Sequence, residues 1–237
     1  KLNKDLAFAN EQQENLIHFI AHQVKGFLTK SKWIFAELLE GSYGKLAPKV
    51  KKIVTDGLKF NTDGVNVVQD VLDAANMKTG KITYENQPMD FAQVVRSIFV
   101  GKKGDAQEKN LDFVLNIQEV DYKINGDRVN LEHAIRNLID NAIKYTFKGK
   151  VEVSLEKTGN IIKLLIKDDG VGITDEDRAR LFTEGGRGKN SQAINVDSTG
   201  FGLFIVKGII ERHGGTVQAL SEGAGKGSTF VVELPVK

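Results

Sequence analysis

The sequence predicts two units in tandem: an all-α helical hairpin that pairs into a dimeric four-helix bundle, then an α/β sandwich with a mixed sheet and helices on one face. Three observations predict this. Apolar residues recur at helical spacing through the first third of the chain. A glycine-rich break divides that stretch into two long helices. From about residue 81, short strand-like runs alternate with helical ones.

In the first helix Leu16, Ile20, Val24, Phe27, Ile34 and Leu38 form one apolar stripe. Gly41-Ser42-Tyr43-Gly44 breaks it, and Pro48 suits the first turn of the second helix. That helix carries Val50, Ile53, Val54, Leu58, Val65, Val68 and Leu72 and fades near Met77–Gly80. Gly57 and Gly64 weaken it, each costing up to ~1 kcal/mol against Ala. Two long helices joined by a short turn form an antiparallel hairpin. One hairpin cannot cover its own apolar faces, so a homodimer is expected. Strands are expected at Ile82–Tyr84, Leu111–Ile117, Val151–Leu155, Ile161–Ile166, Thr216–Leu220 and Thr229–Leu234, with helices around 90–100, 128–146 and 202–213. The segment Lys78–Gln87 carries the boundary, giving expected domains 1–80 and 81–237.

Composition narrows the function classes. With 33 basic against 31 acidic residues the net charge is +2, without the concentrated basic excess of a nucleic-acid binder. Lys45, Lys49, Lys51 and Lys52 cluster, but no aromatics interleave them, and a solvated helix face explains them. There are no cysteines, so thiolate metal sites and disulfides are excluded and a reducing cytosol fits. No apolar run approaches the ~20 residues that cross a bilayer. A start at Lys1 points to an excised piece, the cytoplasmic part of a longer receptor with membrane or sensor segments upstream.

The motifs lie mainly in the second half. Asn137-Leu138-Ile139-Asp140-Asn141-Ala142-Ile143-Lys144-Tyr145 reads as an amphipathic helix with two carboxamides on one face. Amide oxygens suit a hard Mg²⁺ shared with substrate phosphates, Lys144 can meet phosphate, and Tyr145 offers a flat surface to a base. A solvated polar face is the alternative. Asp168-Asp169-Gly170-Val171-Gly172-Ile173 follows a strand, and its glycines let the backbone approach a ligand. A buried Asp there would accept from an exocyclic amine and so select adenine; a tight turn with a solvated Asp is the alternative. A polar loop from Thr183 to Thr199 with Arg187 and Lys189 is long enough to be a lid. It returns at Thr199-Gly200-Phe201-Gly202-Leu203, where the amides of a helix start are donors for phosphate. Gly225-Lys226-Gly227-Ser228-Thr229-Phe230 then leads into the last strand, with Thr229 expected to reach towards Asp168.

Each element alone is modest, but the ordered set resembles the ATP-binding domain of sensor histidine kinases, in the superfamily shared with gyrase, MutL and the ninety-kilodalton chaperone. The resemblance covers essentially the whole chain. It implies that Asn137 and Asn141 serve Mg²⁺, Lys144 the phosphates and Tyr145 the adenine ring. Asp168, Gly170, Gly172 and Thr229 would form the adenine pocket. Phe182, Arg187, Lys189, Thr199, Gly200, Gly202 and Leu203 would belong to the lid and its return, the two cations near the γ-phosphate. ATPase relatives carry a water-activating Glu where this chain has Asn137, so transfer is expected over hydrolysis.

The segment from Phe19 to Leu28 resembles the family's phosphoacceptor box, with His22 as acceptor. By helical geometry His22 points about 160° from the apolar stripe. His18 is one turn earlier on nearly the same face. The box departs from the pattern: Gln23 stands where an acidic residue usually orients and deprotonates the imidazole, and Gly26-Phe27 replaces Thr-Pro. Autophosphorylation with little phosphatase activity is expected, followed by transfer to an aspartate of a response-regulator receiver domain. A non-catalytic ATP-binding dimeric scaffold and an ATPase of the same superfamily are the alternatives.

Overall fold

The computed structural model describes residues 2–79, 84–186 and 200–236. The chain divides into two compact units between Lys81 and Ile82.

The first unit is a hairpin of α1 (Leu2–Glu40) and α2 (Pro48–Thr79). Gly41 and Gly44 turn the chain at φ values of 85° and 101°, which a side chain would strain. Gly57 and Gly64, unfavourable for an isolated helix, have a packing reason. A Cβ at Gly57 would lie 3.0 Å from the Phe35 ring, and one at Gly64 would lie 3.1 Å from Leu28. The two helices therefore close on each other where α2 has no side chain. Ala21, Val54 and Ala74 are buried, and the Lys25 ammonium donates to Gln69 Oε1 at 2.5 Å. The stripe expected on α1 is a different face. Leu16, Ile20, Val24, Phe27 and Ile34 stay exposed, as do Ile53, Phe60 and Val67 of α2. α1 runs through Gly26 without interruption.

The second unit contains β1 (Gln87–Asp90), α3 (Phe91–Glu108), β2 (Asp112–Ile117), β3 (Lys123–Gly126), α4 (Arg128–Tyr145), β4 (Lys150–Thr158), β5 (Ile161–Asp168), α5 (Asp175–Arg178), α6 (Gly202–Arg212), β6 (Thr216–Leu220) and β7 (Ser228–Pro235). The large sheet has the order β2-β4-β5-β7-β6; only β2 and β4 run parallel, so it is mixed as expected. Alternation along its strands sends Val151, Val153 and Leu155, then Ile162, Leu164, Ile166 and Asp168, to one buried face. Leu131, Ile135, Leu138 and Ile139 of α4 and Ile205, Val206 and Ile209 of α6 are likewise fully buried. Burying each such side chain contributes roughly 1.5–3 kcal/mol before entropy is subtracted.

Three local expectations change. The short pair β1 and β3 was not predicted, because Gln87-Pro88-Met89-Asp90 has no apolar alternation to read. Of the strand expected at Ile82–Tyr84, the first two residues lie outside the described residues and Tyr84 is not in a strand. Helix α3 extends to Glu108, since its last turns are largely polar and solvated and give no periodic signal.

Candidate functional site

The site grows from the ends of α4, β5, α6 and β7. Asp127 opens α4 as its N-cap, accepting from the Asn130 N–H at 3.0 Å. Leu131, Ile135, Leu138, Ile139 and Ala142 fix the rotation of α4 on the sheet. Asn137 and Asn141 are then half-buried along one side of the helix. Asp140, between them in sequence, turns to α3, where the Lys102 ammonium meets its Oδ1 at 2.6 Å. Burial pushes the Asp140 carboxyl above the usual carboxylate range, against the pull of Lys102.

The start of α6 abuts this side of α4. A Cβ at Gly202 would lie 3.3 Å from Asn137 Oδ1, so a residue with a side chain would press on the carboxamide. Asn137 Nδ2 is buried and finds no hydrogen-bond partner among the described residues. Phe201, the cap of α6, supplies no side-chain hydrogen bond to the first turn, and Gly200 before it has φ 74°. Leu203 is half-buried in the first turn.

At the other end of α4, the Lys144 ammonium lies 5.7 Å from the Tyr145 ring centroid. The helix terminus is fastened by Lys109, whose ammonium donates to the Ile143 and Lys144 carbonyls, both at 2.8 Å. Burial lowers the Lys109 pKa. No motif around Lys109 marks this cap in the sequence, and the residue is remote from α4 along the chain.

Asp168 ends β5 on the buried face. Its Oδ1 accepts from the Gly170 N–H at 2.8 Å and its Oδ2 from the Ser228 hydroxyl at 2.5 Å. Burial raises the Asp168 carboxyl above its usual range, with the Ser228 and Gly170 donors opposing. Each oxygen keeps acceptor capacity for a further donor. The partner in β7 is a correction: the register sets Ser228 opposite Asp168 and Thr229 opposite Lys167, on the other face. A one-residue slip along a strand exchanges its faces.

The backbone around Asp168 has no room for side chains. A Cβ on Gly170 would come within 2.6 Å of the Tyr145 carbonyl oxygen, and one on Gly172, at φ 67°, within 2.0 Å of the Gly223 carbonyl oxygen. Ser221 ties this loop to the one before β7: its hydroxyl donates to the Gly227 carbonyl at 2.6 Å and accepts from the Ile173 N–H at 3.0 Å. Phe182 is half-buried in the turn after α5. Arg187, Lys189 and Thr199 lie outside the described residues.

In the hairpin His22 and Gln23 are exposed. His18 differs: it is half-buried, and its Nε2 is shielded without a partner among the described residues. Four residues advance the helix by 400°, and the remaining 40° offset separates the two rings' surroundings.

Residues 126–237 match the family model described as the histidine kinase-, DNA gyrase B- and HSP90-like ATPase. An uncharacterised sensor-like histidine kinase of Rhizobium meliloti is 28% identical over 232 residues, 96% of this chain and 43% of the relative. The signal transduction histidine-protein kinase BarA of Escherichia coli is 31% identical over 170 residues, 69% of this chain and 18% of BarA. Residues 126–237 thus carry the ATPase domain of that family, and the chain as a whole is similar to sensor histidine kinases. It spans less than half the length of these two kinases. The fold agrees. Full-length ShkA, solved in complex with AMPPNP, superimposes with a TM-score of 0.72 at 24% identity over 93% of this chain and 45% of ShkA. The Acinetobacter baumannii histidine kinase AdeS gives a TM-score of 0.62 at 24% identity, over 86% of this chain and 94% of that one.

The residues present fit a nucleotide with a hard cation. The site offers carboxamides, backbone N–H donors and one buried carboxylate acceptor, in a cradle a Cβ would fill. Among the described residues no three His, Asp or Glu are grouped to hold a metal by themselves. A cation here would therefore rely on Asn oxygens, water and ligand phosphates, which is the habit of Mg²⁺.

Proposed function

We propose that this chain is an ATP-dependent protein-histidine kinase that phosphorylates His22 and passes the phosphoryl group to an aspartate of a response-regulator receiver domain. The observation that carries the reading is the meeting of the Asn137 carboxamide, whose Nδ2 has no partner among the described residues, with the start of α6, together with the glycine cradle around buried Asp168.

The residues divide the work. Asp168 accepts from the exocyclic amine of adenine, and Ser228 and Gly170 hold its carboxylate in line. Gly170 and Gly172 keep the pocket floor free of side chains. Tyr145 lies against the base and Lys144 meets the phosphates. The amides of Gly202 and Leu203 donate to phosphate oxygens at a helix start, where the backbone dipoles favour anions. Asn137 and Asn141 would hold Mg²⁺ through their carboxamide oxygens, and the cation would offset the phosphate charge. Phe182, Arg187, Lys189, Gly200 and Thr199 form the lid and its return, the two cations near the γ-phosphate.

His22 supplies a ring-nitrogen lone pair to the γ-phosphorus. The new N–P bond forms as the bond to the bridging oxygen breaks, ADP leaves with that electron pair, and the ring proton passes to solvent. Gln23 can accept from the other ring N–H and fix the tautomer, but it takes no proton. At Asn137 the chain has no carboxylate to activate water, so transfer wins over hydrolysis. The exposed series Ile20, Phe27 and Ile34 with Ile53, Phe60 and Val67 supports a homodimer through the hairpin. In the full-length protein the chain serves as the cytoplasmic part of a longer receptor.

Incubating the chain with Mg²⁺ and γ-labelled ATP should give an acid-labile phosphoramidate on the wild type and none on His22→Gln. Label that persists in His22→Gln sinks the His22 assignment. A second reading, a non-catalytic nucleotide-binding scaffold, is favoured by Gln23 beside His22; it predicts bound nucleotide and no label. Steady phosphate release without label would instead mark an ATPase.

A further inference from the structure

The first described residues after the domain boundary, Tyr84 and Glu85, are fastened to a buried polar cluster. The Glu85 N–H donates to Asp127 Oδ2 at 2.9 Å, while Oδ1 of the same carboxylate caps α4 at Asn130. The Asp127 N–H donates to His213 Nε2 at 2.9 Å. His213 Nδ1 lies 2.7 Å from the Ile209 carbonyl. Because Nε2 receives an N–H, the ring hydrogen sits on Nδ1 and is donated to that carbonyl. The Tyr84 ring meets His213 edge-on with centroids 5.8 Å apart, and the Arg212 guanidinium lies 5.8 Å from the Tyr84 centroid. Gly126 completes the junction: a Cβ there would come within 2.9 Å of Leu131 and 3.2 Å of the His213 ring.

This cluster stands where α4 begins and α6 ends. From Asp127 to Asn137, and from Gly202 to Arg212, each helix advances about 15 Å. At the far end of that span Gly202 meets Asn137. The two helices are thus pinned to each other twice, once at the nucleotide site and once at the point where the chain enters the unit.

We propose that Asp127 and His213 are positioning residues that fasten the incoming chain at Tyr84–Glu85 to both helices of the nucleotide site, so that nucleotide occupancy and the fastening of residues 84–85 are energetically coupled. The proposal rests on the nucleotide reading above. Coupling of this kind is reciprocal: nucleotide tightens the fastening by the same factor by which the fastening tightens nucleotide.

The test uses the whole chain with Mg²⁺ and ADP, which binds without phosphorylating. ADP affinity is measured by calorimetry, and exchange of the Glu85 and Asp127 amide hydrogens by NMR. Saturating ADP should slow both exchanges in the wild type by roughly fivefold or more, the lower end of typical couplings. Asp127→Asn keeps an equally good N-cap but has one acceptor oxygen instead of two. It should stay folded with a modestly lower melting temperature, lose the ADP-dependent slowing at Glu85 and weaken ADP roughly fivefold. Tyr84→Ala, which leaves α4 and α6 intact, should do the same to a smaller extent, and it serves where His213→Ala fails to fold. ADP binding to the wild type with unchanged Glu85 exchange overturns the coupling and leaves the nucleotide reading standing. So does wild-type ADP affinity in both variants. Failure of the wild type to bind ADP removes the nucleotide reading, and the coupling with it.

Discussion

The two units bury apolar surface in opposite ways. In the second unit Leu131, Ile135, Leu138 and Ile139 of α4 and Val151, Val153 and Leu155 of β4 have no exposed surface, so its own chain closes the core. In the hairpin Phe60 is 75% exposed, Ile53 69% and Phe27 66%. Ile20, Phe27 and Ile34, like Ile53, Phe60 and Val67, are spaced by sevens, the repeat of a seam between helices. A row of exposed large apolar residues marks an interaction surface. The second unit carries its stability internally, whereas the hairpin leaves this row uncovered by its own chain; covered by a second copy, as proposed above, its stability should rise with concentration.

The second unit should be the more sensitive of the two to lost core volume. Leu138→Ala should cost about 2–5 kcal/mol of unfolding free energy, the range for emptying a buried leucine site. Denaturant melts followed separately for the two units should lose stability in the second and leave hairpin helicity in place. The next largest effect is expected on the hairpin. Phe60→Glu should remove about 1.5–3 kcal/mol of apolar burial per protomer from the paired state. Sedimentation should find monomer where the wild type is dimeric, with nucleotide affinity unchanged; a variant that stays dimeric at low micromolar concentration would mean this row is not the interface. Gly57→Val tests the inner face. Its side chain would press on the Phe35 ring, and overpacking of about 1–3 kcal/mol should lower the hairpin melting temperature without changing the second unit.

The smallest effect expected is a pH dependence, confined to the second unit. Burial raises the folded-state pKa of Asp168 above the ordinary 3.8, and the Ser228 and Gly170 donors only partly oppose it. The folded state then holds this proton longer than the unfolded chain. Its contribution is fully present below 3.8 and is lost as pH rises through the raised value. Asp127 behaves in the opposite sense. Burial would raise it, but the N–H groups of Asn130 and Glu85 outweigh burial and hold it below 3.8. Its contribution is present above 3.8 and is lost as pH falls through the lowered value. Urea midpoints of the second unit should therefore decline above 3.8 in the wild type, and less so in Asp168→Asn. An equal decline in both proteins would assign it to another group.

Legibility in the sequence followed the strength of local patterns. The hairpin turn was readable because Gly41, Gly44 and Pro48 act through their own backbone preferences. The strand Thr216–Leu220 was located to the residue, because a glycine pair precedes it and the chain alternates within it. The pair β1 and β3 was not readable, since four polar-rich residues acquire strand geometry only by pairing across a long stretch of sequence. Among the proposed site residues, Asn137, Asn141, Asp168 and the glycines can be named from sequence because their types and spacing suit the chemistry. Ser228 was missed for Thr229, adjacent hydroxyl residues that sequence alone cannot assign to a face.

The order of the units, the mixed-sheet fold class and the residue types of the proposed nucleotide site are already written in the sequence. Those are properties of local periodicity, backbone preference and side-chain chemistry, which a chain carries before it folds. The tertiary structure decided which apolar face of α1 turns inward, which hydroxyl holds Asp168, and that Lys109, Asp127 and His213 secure the ends of the site's helices. These depend on register and on contacts between residues distant along the chain, and neither is fixed until the strands have paired and the helices have packed.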